Sequence, residues 1–412
     1  MTQTTGSKQR DIRIANHRLI LSTIRQLGAV SRSELAAKLE ISGPSVSKNV
    51  DGLLRRNVLV ESGTVTTSVG RRPNMLEINP DYCCVAVVDF SHINTILAIA
   101  DMRAEIIDEA AIYSGEKIGL EHIQTIINAL QKMLEKHHLT EKLQAISIAT
   151  PGILDNTNGS FVLAPRFEDP QNIHLQKLFN DAFDVTVLLK NDISMAALGE
   201  SMFGAGKGIA NQLYISIDHG VGSGLVLNQK LYEGSRGVAG EVGMWLTDPE
   251  QTYRQYRNRD VSKTPVFDSQ LSTHAIRHIV TNRAKAGEES ILSPLAGQAH
   301  AISFAQIVTA YQLKDPLCVE VVEEAAIKLG CVLKNLIEFL DVDIVIIGGE
   351  VYQFGDSYLE LVKDFLQAVY PTVLPKVVWS DLKEKAGLQG AIGNALEFVF
   401  EQIVTQNIQN EA

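Results

Sequence analysis

Leu213–Gly243, LYISIDHGVGSGLVLNQKLYEGSRGVAGEVG, decides how this chain is read. Apolar residues from Leu213 to Ile217 suggest a strand, and Gly220, Gly222 and Gly224 follow at alternate positions as a glycine turn. Leu225–Leu227 suggests a second strand, and a glycine-rich tail then runs to Glu241. Closely spaced glycines let the backbone approach a ligand and expose its N–H groups, a common way to hold phosphate. A dinucleotide-binding fold needs a helix directly after the glycines. Here the apolar run Leu225-Val226-Leu227 and the turn at Asn228-Gln229 point to a hairpin instead. Two readings stay open at this point, a phosphate-holding hairpin and a plain structural one.

Working outward, 412 residues are enough for two or three domains, each with its own core. No apolar run reaches the roughly 18 residues of a membrane span, so no membrane insertion is expected. The polar N-terminal stretch has no signal-peptide pattern, which makes a cytoplasmic protein the expectation. Cys83, Cys84, Cys318 and Cys331 lack metal-ligand spacing, and Cys83-Cys84 sit in an apolar run as buried thiols. The net charge of −11 hides an asymmetry. Residues 1–75 carry twelve Lys/Arg against five Asp/Glu, a net of +7, and the remainder has a net of −18. A basic module joined to an acidic body is the implication.

The basic module opens with an arm carrying Lys8, Arg10 and Arg13, expected to be mobile. Leu19, Ile20, Ile24 and Leu27 recur at helical spacing, and Gly28 ends that helix. Ser31-Arg32-Ser33-Glu34 is a capping box that starts a second helix. Pro44 suits the first turn of a third, whose Val46, Val50, Leu53 and Leu54 share one face. Ser45, Ser47, Lys48 and Asn49 are then expected on its outer side, where short polar side chains and a lysine suit base edges and phosphates. Two strands at Asn57–Gly63 and Met75–Ile78 add a hairpin wing, with Arg71 and Arg72 at its tip for phosphate or the minor groove. The competing reading is a trihelical protein-interaction domain, which the local positive charge disfavours.

In the body, Cys83–Val88 reads as a buried strand ending at Asp89, with Thr95–Ala100 as its hairpin partner. Leu120–Leu134 has helical periodicity, and Leu143–Ala149 and Val185–Leu189 are further strands. Lys190-Asn191-Asp192 falls at a strand's carboxyl end, where open α/β sheets place ligands. The Asn191 amide can donate and accept hydrogen bonds to sugar hydroxyls, and the Asp192 carboxylate can accept them or take a proton as general base. Asp192 as a helix N-cap is the structural alternative.

In this order the winged helix, Pro151-Gly152-Ile153-Leu154-Asp155, Asn191-Asp192, the glycine hairpin, Ala239-Gly240-Glu241-Val242-Gly243 and Ile347-Gly348-Gly349 resemble the ROK family of repressors and sugar kinases. The resemblance covers nearly the whole chain. It implies an α/β, actin-like (ribonuclease H-like) two-lobed sugar kinase fold preceded by an N-terminal winged helix-turn-helix domain. The implied domains are 1–80, then 81–195 plus 388–412, then 196–387, the last for effector binding and oligomerisation. Asn191, Asp192 and Glu241 match the family's sugar contacts, Asp192 at the position of the kinases' catalytic base. Ile217-Asp218-His219 and Asp192-Ile193-Ser194 are most similar to the Mlc-like glucose-responsive repressor branch.

Departures from the family pattern shape the functional expectation. The join Asp89-Phe90-Ser91-His92 lacks the glycines that receive nucleotide phosphates in the kinases, and Phe90 and His92 would crowd that space. Asp218 stands in a hairpin turn where the kinases have no carboxylate, and it would repel phosphate. Met244 replaces the family's zinc-binding histidine and residues 245–286 contain no cysteine, so neither zinc nor any other cofactor is expected. Arg166 follows Ala164-Pro165 in place of the usual asparagine, either meeting an acidic or phosphorylated sugar or lying on a solvated loop. The expected protein is a sugar-responsive repressor rather than an enzyme. It would bind operator DNA as a dimer or tetramer and sense a sugar or sugar phosphate, with motion carried by Ile78–Tyr82. The alternatives are an ATP-dependent sugar kinase with a DNA-binding domain, and a body that docks a protein such as a transporter subunit.

Overall fold

The computed structural model describes residues 4–64, 74–115, 117–155, 160–260, 262, 264–297, 302–370 and 373–409. Its contacts divide the chain into two compact units. The first comprises residues 1–150, 165–190 and 391–412, and the second comprises 151–164 and 191–390.

The first unit begins with three helices, α1 (Thr4–Leu27), α2 (Arg32–Leu39) and α3 (Gly43–Arg55). Helix α1 starts at Thr4, so the stretch expected to be a mobile arm is helical. Its polar residues carry no apolar periodicity to announce a helix, yet no proline interrupts them. Gly28 ends α1 with φ of 75°, a conformation that costs glycine little. Both halves of the expected capping box form on α2, with the Ser31 hydroxyl accepting from Glu34 N and the Glu34 carboxylate from Ser31 N. Pro44 lies in the first turn of α3, and Val46, Val50 and Leu53 are fully buried. The short β1 (Val30–Ser31), β2 (Leu59–Thr64) and β3 (Asn74–Ile78) form an antiparallel sheet in the order β1-β3-β2. Arg71 and Arg72 lie outside the described residues.

Next come β4 (Cys84–Asp89), β5 (Asn94–Asp101), β6 (Ile106–Tyr113), α4 (Leu120–Lys136) and β7 (Leu143–Thr150). Two short strands, β8 (Ile153–Leu154) and β9 (Phe161–Leu163), pair in the second unit. Helix α5 (Leu175–Phe183) and β10 (Thr186–Asn191) follow. Strands β4, β5 and β6 form an antiparallel meander, β7 joins β4 in parallel, and the sheet order is β10-β7-β4-β5-β6. Every residue of β4 is buried, including the thiol-bearing Cys84 beside buried Cys83.

The second unit contains α6 (Asp192–Phe203), β11 (Gln212–Ile217), β12 (Val221–Leu227), β13 (Lys230–Tyr232), α7 (Pro249–Arg257), α8 (Asp268–Leu271), α9 (Thr273–Lys285), α10 (Ser293–Ala296), α11 (Phe304–Gln312), α12 (Pro316–Leu340), β14 (Ile344–Gly348), α13 (Asp356–Val369), β15 (Lys376–Trp379) and the start of α14 (Ala386–Gln409), which from Ala391 onward belongs to the first unit. The sheet repeats the plan of the first: β11, β12 and β13 are an antiparallel meander, and β14 and β15 extend it in parallel. One face carries Leu213, Ile215, Val345 and Ile347 into a core shared with α9, α12 and α13. The other carries Tyr214, Val226, Ile344 and Ile346 against Ala196 and Ala197 of α6. This two-sided burial explains why these strands read as continuous apolar runs.

Candidate functional site

Strand β12 is the scaffold of the site. Gly222 and Gly224 lie within this strand, not in the turn, which is Asp218-His219-Gly220. A Cβ on Gly222 would lie 2.9 Å from Ile193 Cγ1, and one on Gly224 would lie 2.6 Å from Ala197 Cβ and 2.9 Å from Ile193 O. The alternating glycines therefore let α6 rest directly on the strand's backbone, as period-two geometry allows.

Helix α6 begins at the Asn191-Asp192 pair. Asn191 is its N-cap: Oδ1 accepts from Ser194 N at 3.0 Å, and Nδ2 donates to Gly152 O at 3.0 Å. The capping role considered for Asp192 thus belongs to Asn191, which fits the strong preference for asparagine at that position. Asp192 is half-buried in the first turn and accepts from Ile193 N at 2.9 Å. The helix N-terminus stabilises its negative charge.

The same strand holds the loop carrying Glu241. Gly240 O accepts from Ser223 N at 3.0 Å and from Ser223 Oγ at 2.8 Å. A Cβ on Gly240, whose φ is 90°, would sit 2.2 Å from Ser223 O, and one on Gly243 would sit 2.2 Å from Val221 O. Glu241 is clamped between these two contacts. Burial raises its carboxyl above the usual carboxylate range, and no described residue donates a hydrogen bond or ion pair to it. Its oxygens stay open to solvent, so that water, or the hydroxyl of a ligand, can donate to them.

The hairpin turn is closed by the protein's own groups. Val221 N donates to Asp268 Oδ1 at 2.6 Å, Asp218 N to Gly220 O at 2.8 Å, and Thr273 N to Asp218 O at 2.8 Å. The His219 and His274 rings meet edge to face at 5.2 Å. Burial lowers the His274 pKa, and the neighbouring His219, Arg277 and His278 lower it further.

In the first unit the β4–β5 join is fixed from within. Asp89 Oδ1 accepts from Ser91 N at 2.8 Å. Phe90 is fully buried and meets Phe167 edge to face at 5.8 Å, so it shapes the join from beneath instead of crowding its outer side, while His92 is exposed. Arg166 is half-buried and not on a solvated loop. Its guanidinium donates to Phe90 O at 2.8 Å, His92 O at 2.5 Å and Gly115 O at 3.0 Å, making it a main-chain staple. Arginine's planar fork suits several acceptors at once.

On α3, Lys48 is exposed and Ser45 and Ser47 are half-buried. Asn49 departs from its expected outer placement. It is 6% exposed, and Nδ2 donates to Ser45 O at 2.7 Å within the helix. The outer face is instead made by Pro44, Ser47, Lys48, Asp51, Leu54 and Arg55. Arg55 was missed, although its position seven residues after Lys48 places it on the same face. Among the described residues no cluster of three or more His, Cys, Asp or Glu has metal-binding geometry, and no helix is long and apolar enough to cross a membrane.

Two mixed sheets of one plan are the signature of the actin-like sugar kinase class. The ROK family model matches residues 88–397, and the chain belongs to the ROK family. The xylose repressor of Caldicellulosiruptor bescii is 26% identical over 387 residues, covering 92% of this chain and 94% of that protein. A glucokinase of Halalkalibacterium halodurans is 29% identical over 283 residues, covering 68% and 83%. The crystal structure of a ROK family transcriptional regulator, a homologue of the Escherichia coli Mlc protein, superposes with a TM-score of 0.78 at 23% identity, covering 97% and 99%.

Proposed function

We propose that this ROK chain is a sugar-responsive transcriptional repressor of carbohydrate uptake or catabolism genes. The observation that carries the proposal is the basic, three-helix N-terminal module ahead of the family body, and the xylose repressor's alignment, at 92% of this chain, extends beyond that body into the module. In this reading α1–α3 and the β2–β3 hairpin are a winged helix-turn-helix. Ser47, Lys48 and Arg55 face the major groove, with Ser45 at the helix start and Arg71 and Arg72 on the wing. Asn49 supports the reading helix from inside. Two copies read the two halves of an operator, because half-sites a helical turn apart need two modules. The protein then acts in the cytoplasm, where its DNA is.

Asn191, Asp192 and Glu241 are the sugar contacts in this reading, and the donor-less Glu241 supports it most. Sugar hydroxyls provide the missing donors. A ligand shifts the protein's states only by its differential affinity for them.

Kinase activity is the second reading, favoured by Asp192 at the base position and by the glucokinase relative. Against it stand the closed hairpin turn, where Asp268 already takes the Val221 N–H, and the stapled β4–β5 join. Carboxylates this close to a phosphate site disfavour phosphate. Calorimetric titration with pentoses, hexoses, amino sugars and their phosphates, beside an ADP-release assay, tests both readings. Binding of one sugar class that is lost in Glu241→Gln, without ADP release, is expected. Turnover abolished by Asp192→Asn would overturn the repressor assignment. Operator binding insensitive to every sugar would instead favour a protein partner, for which exposed Met244, Trp245 and Leu246 offer an apolar surface.

A further inference from the structure

The C-terminal half of α14 holds the N-terminal module through residues that neither the family motifs nor the sugar site use. Arg18 donates to both carboxylate oxygens of Glu401, Nε at 2.6 Å and Nη2 at 2.5 Å. One turn earlier, Glu397 pairs with Arg25 at 3.5 Å, and the Arg25 guanidinium lies 5.5 Å from the centre of the Phe400 ring. Arg56, the C-cap of α3, donates to Ile403 O at 3.3 Å. Three arginines of a basic module thus turn inward to one helix, which fixes both α1 and the end of α3.

The other attachment is the segment between the module and the body. In the segment Ile78–Tyr82, Asn79 N donates to Val58 O at 2.9 Å and Asn79 Nδ2 to Asn57 O at 2.7 Å, while Lys142 Nζ donates to Asp81 O at 3.0 Å. At its other end α14 lies against the helix capped by Asn191. A Cβ on Gly199 of α6 would fall 2.2 Å from Ala386 O, and one on Gly390 would fall 1.7 Å from Met195 O. No side chain separates the two backbones, so a shift at the start of α6 is passed to the start of α14 without cushioning.

We propose that Glu397 and Glu401 are positioning residues for DNA reading, and that α14 carries the sugar's signal to α1 and α3. This rests on the repressor reading. The test measures affinity for the protein's operator against a scrambled duplex at fixed salt, with and without the effector sugar, in wild type, Glu401→Arg, Arg18→Glu and the Arg18→Glu/Glu401→Arg exchange. The exchange keeps the wild-type net charge, so a purely electrostatic effect on DNA is controlled. Glu401→Arg is expected to lower the specific-to-scrambled ratio roughly fivefold, the weight of one exposed ion pair. It should also blunt the sugar response while leaving sugar affinity unchanged, which shows an intact body. The exchange should restore both. An unchanged ratio in Glu401→Arg, or an exchange that leaves the defect in place, overturns the inference alone. A wild-type protein without specific DNA affinity overturns it together with the repressor reading.

Discussion

Replacing Gly224 with alanine adds one methyl group where the structure has no room. The new Cβ would stand 2.6 Å from Ala197 Cβ and 2.9 Å from Ile193 O. The second contact is with backbone, so α6 itself must lift off β12. Overpacking of this kind costs about 2 kcal/mol, and for a unit of this size the melting temperature should fall by about 4–8 °C. The helix that lifts starts at Asn191 and Asp192, so sugar affinity should fall with it, by roughly tenfold, since that is about 1.4 kcal/mol of lost contact. Gly220→Ala is the internal control. Its Cβ would meet only Asp268 Oδ1, at 3.1 Å, in a turn that can yield. Thermal unfolding and calorimetric sugar titration of both variants decide the matter. A Gly224→Ala protein that melts with wild type and binds sugar equally well, or a Gly220→Ala protein that is the more damaged, would refute the scaffold role of β12.

Further outcomes follow from the same contacts. Asn191→Ala should destabilise the protein by about 1–2 kcal/mol through the lost cap, whereas Asn191→Ser should recover most of that in chemical denaturation yet still bind sugar poorly. Arg166→Lys should destabilise the first unit, because a single ammonium cannot serve three carbonyls in fixed directions; a thermal scan equal to wild type would contradict the staple. Burial raises the Glu241 pKa, so the native state holds this proton more tightly than the unfolded state and stability falls as pH rises through the raised value. Glu241→Gln should therefore be at least as stable as wild type at neutral pH, and should flatten that slope while abolishing sugar binding. In wild type, sugar affinity should weaken as pH falls through the same value, because the acceptor is the ionised carboxylate.

The parts that were legible in the sequence are those with local causes. The capping box at Ser31–Glu34, Pro44 opening α3 and the apolar run of β4 each depend on neighbours in the chain, and each forms as read. Strand β6 was not read, because along it half-buried and exposed residues alternate and no face is fully apolar. Glycine spacing at 220–224 was legible, but its purpose was not: two of the three glycines serve contact with Ile193 and Ala197, some thirty residues earlier. Asn49 and Arg166 also misled. Asn49 turns back to the Ser45 carbonyl of its own helix, whereas the carbonyls that Arg166 satisfies lie elsewhere in the fold. Asn191 was read as a ligand contact, while its capping of α6 depended on where the strand ended.

The most direct test of a sugar-controlled operator reader is capture of genomic DNA fragments by the purified protein, at one physiological salt concentration with excess competitor DNA. Fixed salt is essential because phosphate contacts make affinity steeply salt-dependent. The capture is repeated with each free and phosphorylated sugar in turn. Recovery of a few promoter fragments from carbohydrate genes is expected, with the yield changed by one sugar class and unchanged by that sugar in Glu241→Gln. Recovery of no specific fragment, with or without sugar, would contradict the repressor reading.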